Sequence, residues 1–240
     1  RCQKWSQARP KRLPASNPPP LEAAKAVAAV SGQTDKADEM IFLARGVVRA
    51  AKHCLVVLDM PFGSYQVSEE DAVRNALRMM KESGADALKL EGGEEILPTI
   101  RHMVQAGIPV MGHLGLTPQS VNQLGGYGLR AKEDAEAEKL LRDAKLLDEA
   151  GCFAIVLEKI PAALAEKVTQ AVSCPTIGIG AGNVTDGQVL VLHDMLGLNQ
   201  GFKPKFLRHF AQLGEAVKGA VGEYIDSVKQ STFPNENESY

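Results

Sequence analysis

Long apolar runs are missing from this chain. Apolar residues make up 45% of its 240 positions, yet no uninterrupted stretch approaches the roughly 20 needed to span a bilayer. A soluble protein without a membrane partner is therefore expected. An excess of one charge is missing too. The 27 basic and 29 acidic residues leave a formal net charge of -2, which gives no global electrostatic reason to bind nucleic acid. Cysteine is scarce and unpatterned. Cys2, Cys54, Cys152 and Cys174 make no CxxC pair and no zinc-like spacing. Cys54 and Cys152 start apolar runs, where a small buried thiol is ordinary, and a reducing cytoplasm fits best. No signal peptide is visible, so the glycosylation patterns at Asn183 and Asn237 are discounted.

Nucleotide-binding motifs are absent as well. The run Gly178-Ile179-Gly180-Ala181-Gly182-Asn183 invites a dinucleotide reading but fits GxGxxG in neither frame. No acidic partner lies at the right distance beyond it, and there is no Walker motif. A backbone drawn close to a ligand is the preferred reading of these glycines, with a simple tight turn as the alternative.

What is present is an alternation of short apolar runs with amphipathic stretches from about Asp38 onward. A helix over Glu39 to Ala51 precedes the strand Leu55 to Leu58. Ser68 then caps a helix with Val73, Ala76, Leu77 and Met80 at helical spacing, and Gly84 stops it. Further strands are expected at Ala87 to Leu90, Ile108 to Met111, Phe153 to Leu157, Thr176 to Ile179 and Val189 to Leu192. Helices are expected from Thr117-Pro118, over Glu133 to Glu149, over Ala162 to Val172 and at the C-terminus. Gly125-Gly126-Tyr127-Gly128 suits a mobile lid or an ordinary surface loop equally.

Strands separated by helices imply a parallel sheet, and 240 residues suit one α/β barrel or one doubly wound domain. The six strands fall short of the eight that close a barrel. Residues 1–37 do not fill the gap: Pro18-Pro19-Pro20 breaks regular structure, and alanine-rich Leu21 to Val30 prefers helix. An irregular or helical segment over 1–37 and a catalytic domain over 38–240 are expected. The first segment suits a transit-like extension, a disordered arm or an incomplete start equally.

Three acidic residues stand where apolar runs stop. Asp59 closes CLVVLD, Glu91 follows ALKL and Glu158 closes FAIVLE. The carboxyl ends of parallel strands carry the chemistry in such folds. Asp59 and Glu91, hard oxygen donors on adjacent strands, suit Mg²⁺; capping a helix or pairing with a lysine is the plainer alternative. Lys89 lies two residues before Glu91 and so faces the same side, where it pairs with Glu91 or binds a substrate anion. Burial would raise the pKa of Glu158 and make it a general base. A salt bridge to Lys159 is the alternative, though neighbours along a strand face opposite ways. His113 suits a structural hydrogen-bonding role better than a catalytic one, and His193-Asp194 are read as structural.

The strings DMPFGSY, ALKLEGGE, VMGHLGLTPQSV, GGYGLR, IVLEKIP and IGIGAGNVTDGQVLVLHDMLG together resemble the ketopantoate hydroxymethyltransferase family, in order from about Asp38 to Tyr240. The resemblance implies a TIM-type (β/α)8 barrel of the phosphoenolpyruvate-binding type, here lacking its first two strands. It also implies a homo-oligomer (decameric in well-known members) in the cytoplasm. The implied reaction moves a hydroxymethyl group from 5,10-methylenetetrahydrofolate to 3-methyl-2-oxobutanoate, giving 2-dehydropantoate for pantothenate synthesis. Carried over residue by residue, Asp59 and Glu91 match the metal ligands, Asp59 and Lys89 the keto-acid site, and Glu158 the proton acceptor. Mg²⁺ would act as a Lewis acid that stabilises the enolate.

One family feature has no counterpart. The VGDS-like strand end, whose aspartate binds metal, is matched nowhere in Arg1 to Lys36, and no aspartate precedes Asp35. Weak or absent activity and poor stability are therefore expected. Two other readings compete: a related lyase or mutase acting on phosphoenolpyruvate-like acids, and a catalytically inactive homologue serving as an oligomer partner.

Overall fold

The structure, a computed structural model, describes residues 27–30, 36–199, 201 and 203–240. Among them, seven strands lie parallel and side by side in chain order: β1 (Val27–Val30), β2 (Leu55–Asp59), β3 (Ala87–Glu91), β4 (Val110–Gly115), β5 (Ala154–Glu158), β6 (Thr176–Ile179) and β7 (Gly187–Gln188). Helices α1 (Ala37–Ala50), α2 (Glu69–Ser83), α3 (Leu97–Gln105), α4 (Val121–Leu124), α5 (Asp134–Glu149) and α6 (Ala162–Ala171) fall between the first six strands. The α/β class and the parallel sheet are as the sequence implies.

Strands covered on both faces need apolar residues at successive positions, not alternate ones. Leu55-Val56-Val57-Leu58 and Ala154-Ile155-Val156-Leu157 meet that need, and every one of these residues is buried. Helix α2 begins where the Asp71 N–H donates to Ser68 Oγ at 3.1 Å, and it ends at Gly84, whose φ of 75° suits glycine. Its buried Ala72, Ala76 and Met79 join Ile100 and Met103 of α3 and Leu147 of α5 in one core with Leu58, Leu88 and Ile155.

Two elements differ from the sequence reading. Val27–Val30, placed by composition in a helix-favouring stretch, is a strand paired residue for residue with Leu55 to Leu58. Pairing to an existing edge outweighs the small helix preference of alanine. The expectation for residues 1–26 and 31–35 lies outside the described residues. The strand expected at Val189 to Leu192 is instead the extended lead-in to helix α7 (Leu192–Met195), and pairing stops with Gln188. Val191 and Leu192 are exposed, so the short apolar run there did not signal a buried strand.

The chain divides into two compact units, the first ending at Gln188 and the second running from Val189 to Tyr240. The second unit holds α7 and the long helix α8 (Leu213–Lys229), along which Tyr224 packs edge-on against Phe233.

Candidate functional site

Strand register gathers the site. Asp59 pairs directly with Lys89, and Glu91 pairs with His113. Side chains two residues apart on a strand share a face, so Lys89 and Glu91 point the same way. His113 is level with Val156, which puts Glu158 one step further along that face. Five polar side chains from four adjacent strands thus converge at the carboxyl end of the sheet.

The contacts are close. Lys89 Nζ lies 2.6 Å from Asp59 Oδ1, 3.9 Å from Glu91 Oε1 and 3.1 Å from His113 Nδ1. His113 Nδ1 is 3.6 Å from Glu91 Oε1, and its Nε2 is 3.3 Å from Glu158 Oε2. Asp59, Lys89, Glu91 and His113 are buried. The Glu158 side chain keeps 16% of its exposure, so it is less enclosed than the sequence reading expects and reachable by a ligand. It pairs with His113, while the Lys159 ammonium donates to the carbonyl of Tyr127, which removes the Glu158–Lys159 salt bridge.

Burial pulls the Lys89 pKa down, but the charges of Asp59 and Glu91 more than offset this and hold it above the ordinary lysine value. An ammonium only donates, so His113 Nδ1 accepts from it and the ring proton sits on Nε2. That Nε2 is buried and has no hydrogen-bond partner of acceptable geometry. His113 thus bonds Lys89 through Nδ1 and turns Nε2 toward Glu158.

Glu91 is held by two residues that the sequence reading left without roles. The Gln119 backbone N–H donates to Glu91 Oε2 at 2.9 Å, and the Gln119 side-chain amide donates to the Met60 carbonyl at 2.9 Å. The Tyr65 hydroxyl sits 2.9 Å from Gln119 Oε1 and accepts from the Glu91 N–H at 3.3 Å. Burial, then the charge of Glu91, pushes the Tyr65 phenol well above its usual range, so it keeps its proton. Tyr65 sits in a loop and Gln119 in the short 3-10 turn Pro118–Ser120, and only their place inside PFGSY and HLGLTPQSV hinted at a function.

Glu158 is fixed from behind. Its carbonyl accepts from the Leu116 N–H at 2.9 Å. A Cβ on Gly115, whose φ is 94°, would lie 2.2 Å from that carbonyl oxygen, so only glycine allows this approach. The other glycine run serves the chain itself. A Cβ on Gly178 would meet Thr185 Oγ1 at 2.6 Å, and Gln188 Nε2 donates to the Gly182 carbonyl at 2.9 Å. These contacts are those of a tight turn.

Three acidic groups face one lysine in this cluster, and buried charge without a counter-charge is costly. Asp59 Oδ1 touches Lys89 yet makes no hydrogen bond of good geometry. Asp59 and Glu91 are thus the hard oxygen donors that could hold a divalent cation here. Among the described residues no third His, Cys, Asp or Glu joins them as a ready-made ligand set. No helix there is long and apolar enough to cross a membrane.

Acidic side chains gathered around one buried lysine and a histidine, with one carboxylate partly exposed, stand at the carboxyl end of a parallel α/β sheet, the end that carries the chemistry in enzymes of such folds. The family model for ketopantoate hydroxymethyltransferase matches residues 26–236, and the chain belongs to that family of hydroxymethyl-transferring enzymes. It is 61% identical over 203 residues to a 3-methyl-2-oxobutanoate hydroxymethyltransferase of Bacteroides thetaiotaomicron, covering 85% of this chain and 74% of that protein. An enzyme of the same name from Flavobacterium johnsoniae is 58% identical, with 85% and 75% covered. In three dimensions the chain resembles a protein from Burkholderia cenocepacia J2315 assigned as a lyase/mutase, with a TM-score of 0.51 and 13% identity over 87% of this chain and 76% of that one. That likeness concerns the fold alone.

Proposed function

We propose that this chain transfers a hydroxymethyl group from 5,10-methylenetetrahydrofolate to 3-methyl-2-oxobutanoate, giving 2-dehydropantoate, a step of pantothenate synthesis. The sheet is then the greater part of a (β/α)8 barrel of the phosphoenolpyruvate-binding type. The observation that carries the reading is the convergence of Asp59, Lys89, Glu91, His113 and Glu158 on one face within contact distance.

Each residue has a task in this reading. Asp59 and Glu91 hold Mg²⁺, which when bound supplies the positive charge that offsets the growing negative charge on the keto acid. Lys89 draws in the substrate anion and, fixed between Asp59 and His113, orients it. Glu158 takes the proton from the branched carbon, C3, and the electron pair left behind moves toward the keto oxygen. His113 Nε2–H lies beside that path and donates to the oxygen that gains charge. The C3 carbon then bonds to the one-carbon unit of the folate, whose two bonds to nitrogen break; water supplies the hydroxyl, and its other hydrogen together with the proton taken by Glu158 goes to the two nitrogens as tetrahydrofolate leaves. Asp59 and Glu91 by themselves would hold a cation weakly, so binding near about 1 mM Mg²⁺ is expected.

The test is product analysis. Purified protein with both substrates and Mg²⁺ should yield 2-dehydropantoate and tetrahydrofolate in equal amounts by mass spectrometry. A keto acid that is cleaved or rearranged without folate would favour the lyase or mutase reading, and binding without any product would favour the inactive partner.

A further inference from the structure

Lys159 follows the base directly and is unusual in three respects. Its φ of 46° lies in the left-handed region, which a side chain with a Cβ rarely adopts. Its backbone is held on both sides: the Lys159 N–H donates to the Ile179 carbonyl at 2.9 Å, and the Arg130 N–H donates to the Lys159 carbonyl at 2.8 Å. Its ammonium reaches across to donate to the Tyr127 carbonyl.

The segment it reaches is lightly packed. Nothing lies within 4 Å of where a Cβ would sit on Gly125, Gly126 or Gly128, and Tyr127 and Leu129 are exposed. At the far end of the segment Ala131 is also left-handed, with a φ of 52°, and its N–H donates to Glu136 Oε2 at 2.7 Å. Arg130 pairs with the same glutamate. Two of the three described non-glycine residues with positive φ therefore meet at one junction. Such conformations persist only where surrounding bonds over-determine them, and they cluster at working sites.

We propose that Lys159 is a positioning residue that latches segment 125–131 to the end of β5, so that the placement of this segment and the orientation of Glu158 are set together. Lys159 touches no reacting atom; it acts through the backbone it shares with Glu158. Gly125-Gly126-Tyr127-Gly128 is in this proposal one end of a mechanical link to the base. The role in catalysis rests on the proposed function, whereas the latch itself does not.

Two readouts separate these. Amide hydrogen exchange over residues 125–131 reports the latch, and deuterium exchange at C3 of 3-methyl-2-oxobutanoate with Mg²⁺ reports the base. In Lys159→Met, which keeps the stem and loses the donor, amides of 125–131 are expected to exchange about tenfold faster or more. The C3 exchange kcat should fall about tenfold or more with KM little changed, since small misplacements of a base are costly. Lys159→Arg, which keeps a donor, should recover most of both. Lys159→Gly, free to adopt positive φ, should fold at least as well as the unsubstituted chain and still lose the rate. Unchanged amide protection in Lys159→Met would overturn the latch. Faster amides with an unchanged C3 rate, or no recovery with arginine, would overturn the coupling to Glu158. An unsubstituted chain that performs no C3 exchange overturns the functional reading, and the amide data then still decide the latch.

Discussion

Replacing Glu158 with glutamine is expected to cut deuterium exchange at C3 of 3-methyl-2-oxobutanoate by about 10²- to 10⁴-fold, the usual contribution of a positioned base. Keto-acid affinity should stay within about twofold, because the change removes proton acceptance and preserves shape. Glu158 is placed for this outcome. It is the one carboxylate of the cluster that reaches beyond the Asp59–Lys89–Glu91 contacts, it retains 16% exposure, and its backbone is fixed by Leu116 and Gly115. An amide at that position still meets His113 but cannot take up a proton. Isotope exchange followed by NMR in deuterium oxide, together with calorimetric binding, checks both halves. An unchanged rate would remove Glu158 from the role of base. A parallel loss of binding would make it a substrate-holding group instead.

Lys89→Met should have the largest effect on stability. The ammonium is the only fixed positive group in contact with Asp59 and Glu91 among the described ion pairs. Its removal leaves two buried acidic side chains without their counter-charge, a change that costs on the order of 3–5 kcal/mol when a buried pair loses one partner. A urea midpoint lowered accordingly, and partly restored by millimolar Mg²⁺, is expected. Restoration would follow because a divalent cation replaces the lost charge at the same oxygens.

The sign of the pH dependence follows from the same contacts. The folded state holds the Lys89 proton above the unfolded value of 10.5, so the stabilisation is present in full below that value. It is lost as pH rises through the higher folded value. The difference between Lys89→Met and the unsubstituted chain should therefore be flat through neutral pH and shrink only in strong alkali. A variant as stable as the parent at neutral pH without metal would show that the cluster is not charge-coupled as described.

Much of this site was legible before the structure because a doubly covered parallel strand writes itself as an apolar run, and an acid that ends such a run marks the chemical end of the sheet. Asp59, Glu91 and Glu158 declared themselves in that way, and Lys89 followed by alternation. His113 did not, because its importance lies in register: it sits level with Glu91 on one side and one step from Glu158 on the other, relations between residues far apart in the chain. Tyr65 acts from a loop and Gln119 from a single 3-10 turn, and their contacts to Glu91 and Met60 join distant parts of the chain that no periodicity reveals. Val27–Val30 carries two alanines between two valines, a composition that favours helix in isolation and becomes a strand only beside Leu55 to Leu58. Val189 to Leu192 shows the reverse error, an apolar run with no partner strand to join.

In the proposed reaction the cluster of Asp59, Lys89, Glu91, His113 and Glu158 removes the C3 proton of the keto acid with the help of a divalent cation. The most direct measurement is C3 deuterium exchange by the unsubstituted protein without folate, across a Mg²⁺ titration. Exchange that rises through about 1 mM Mg²⁺ and disappears on chelation is expected. Exchange equally fast without any divalent cation, or none at any Mg²⁺ concentration while the keto acid is bound, would contradict it.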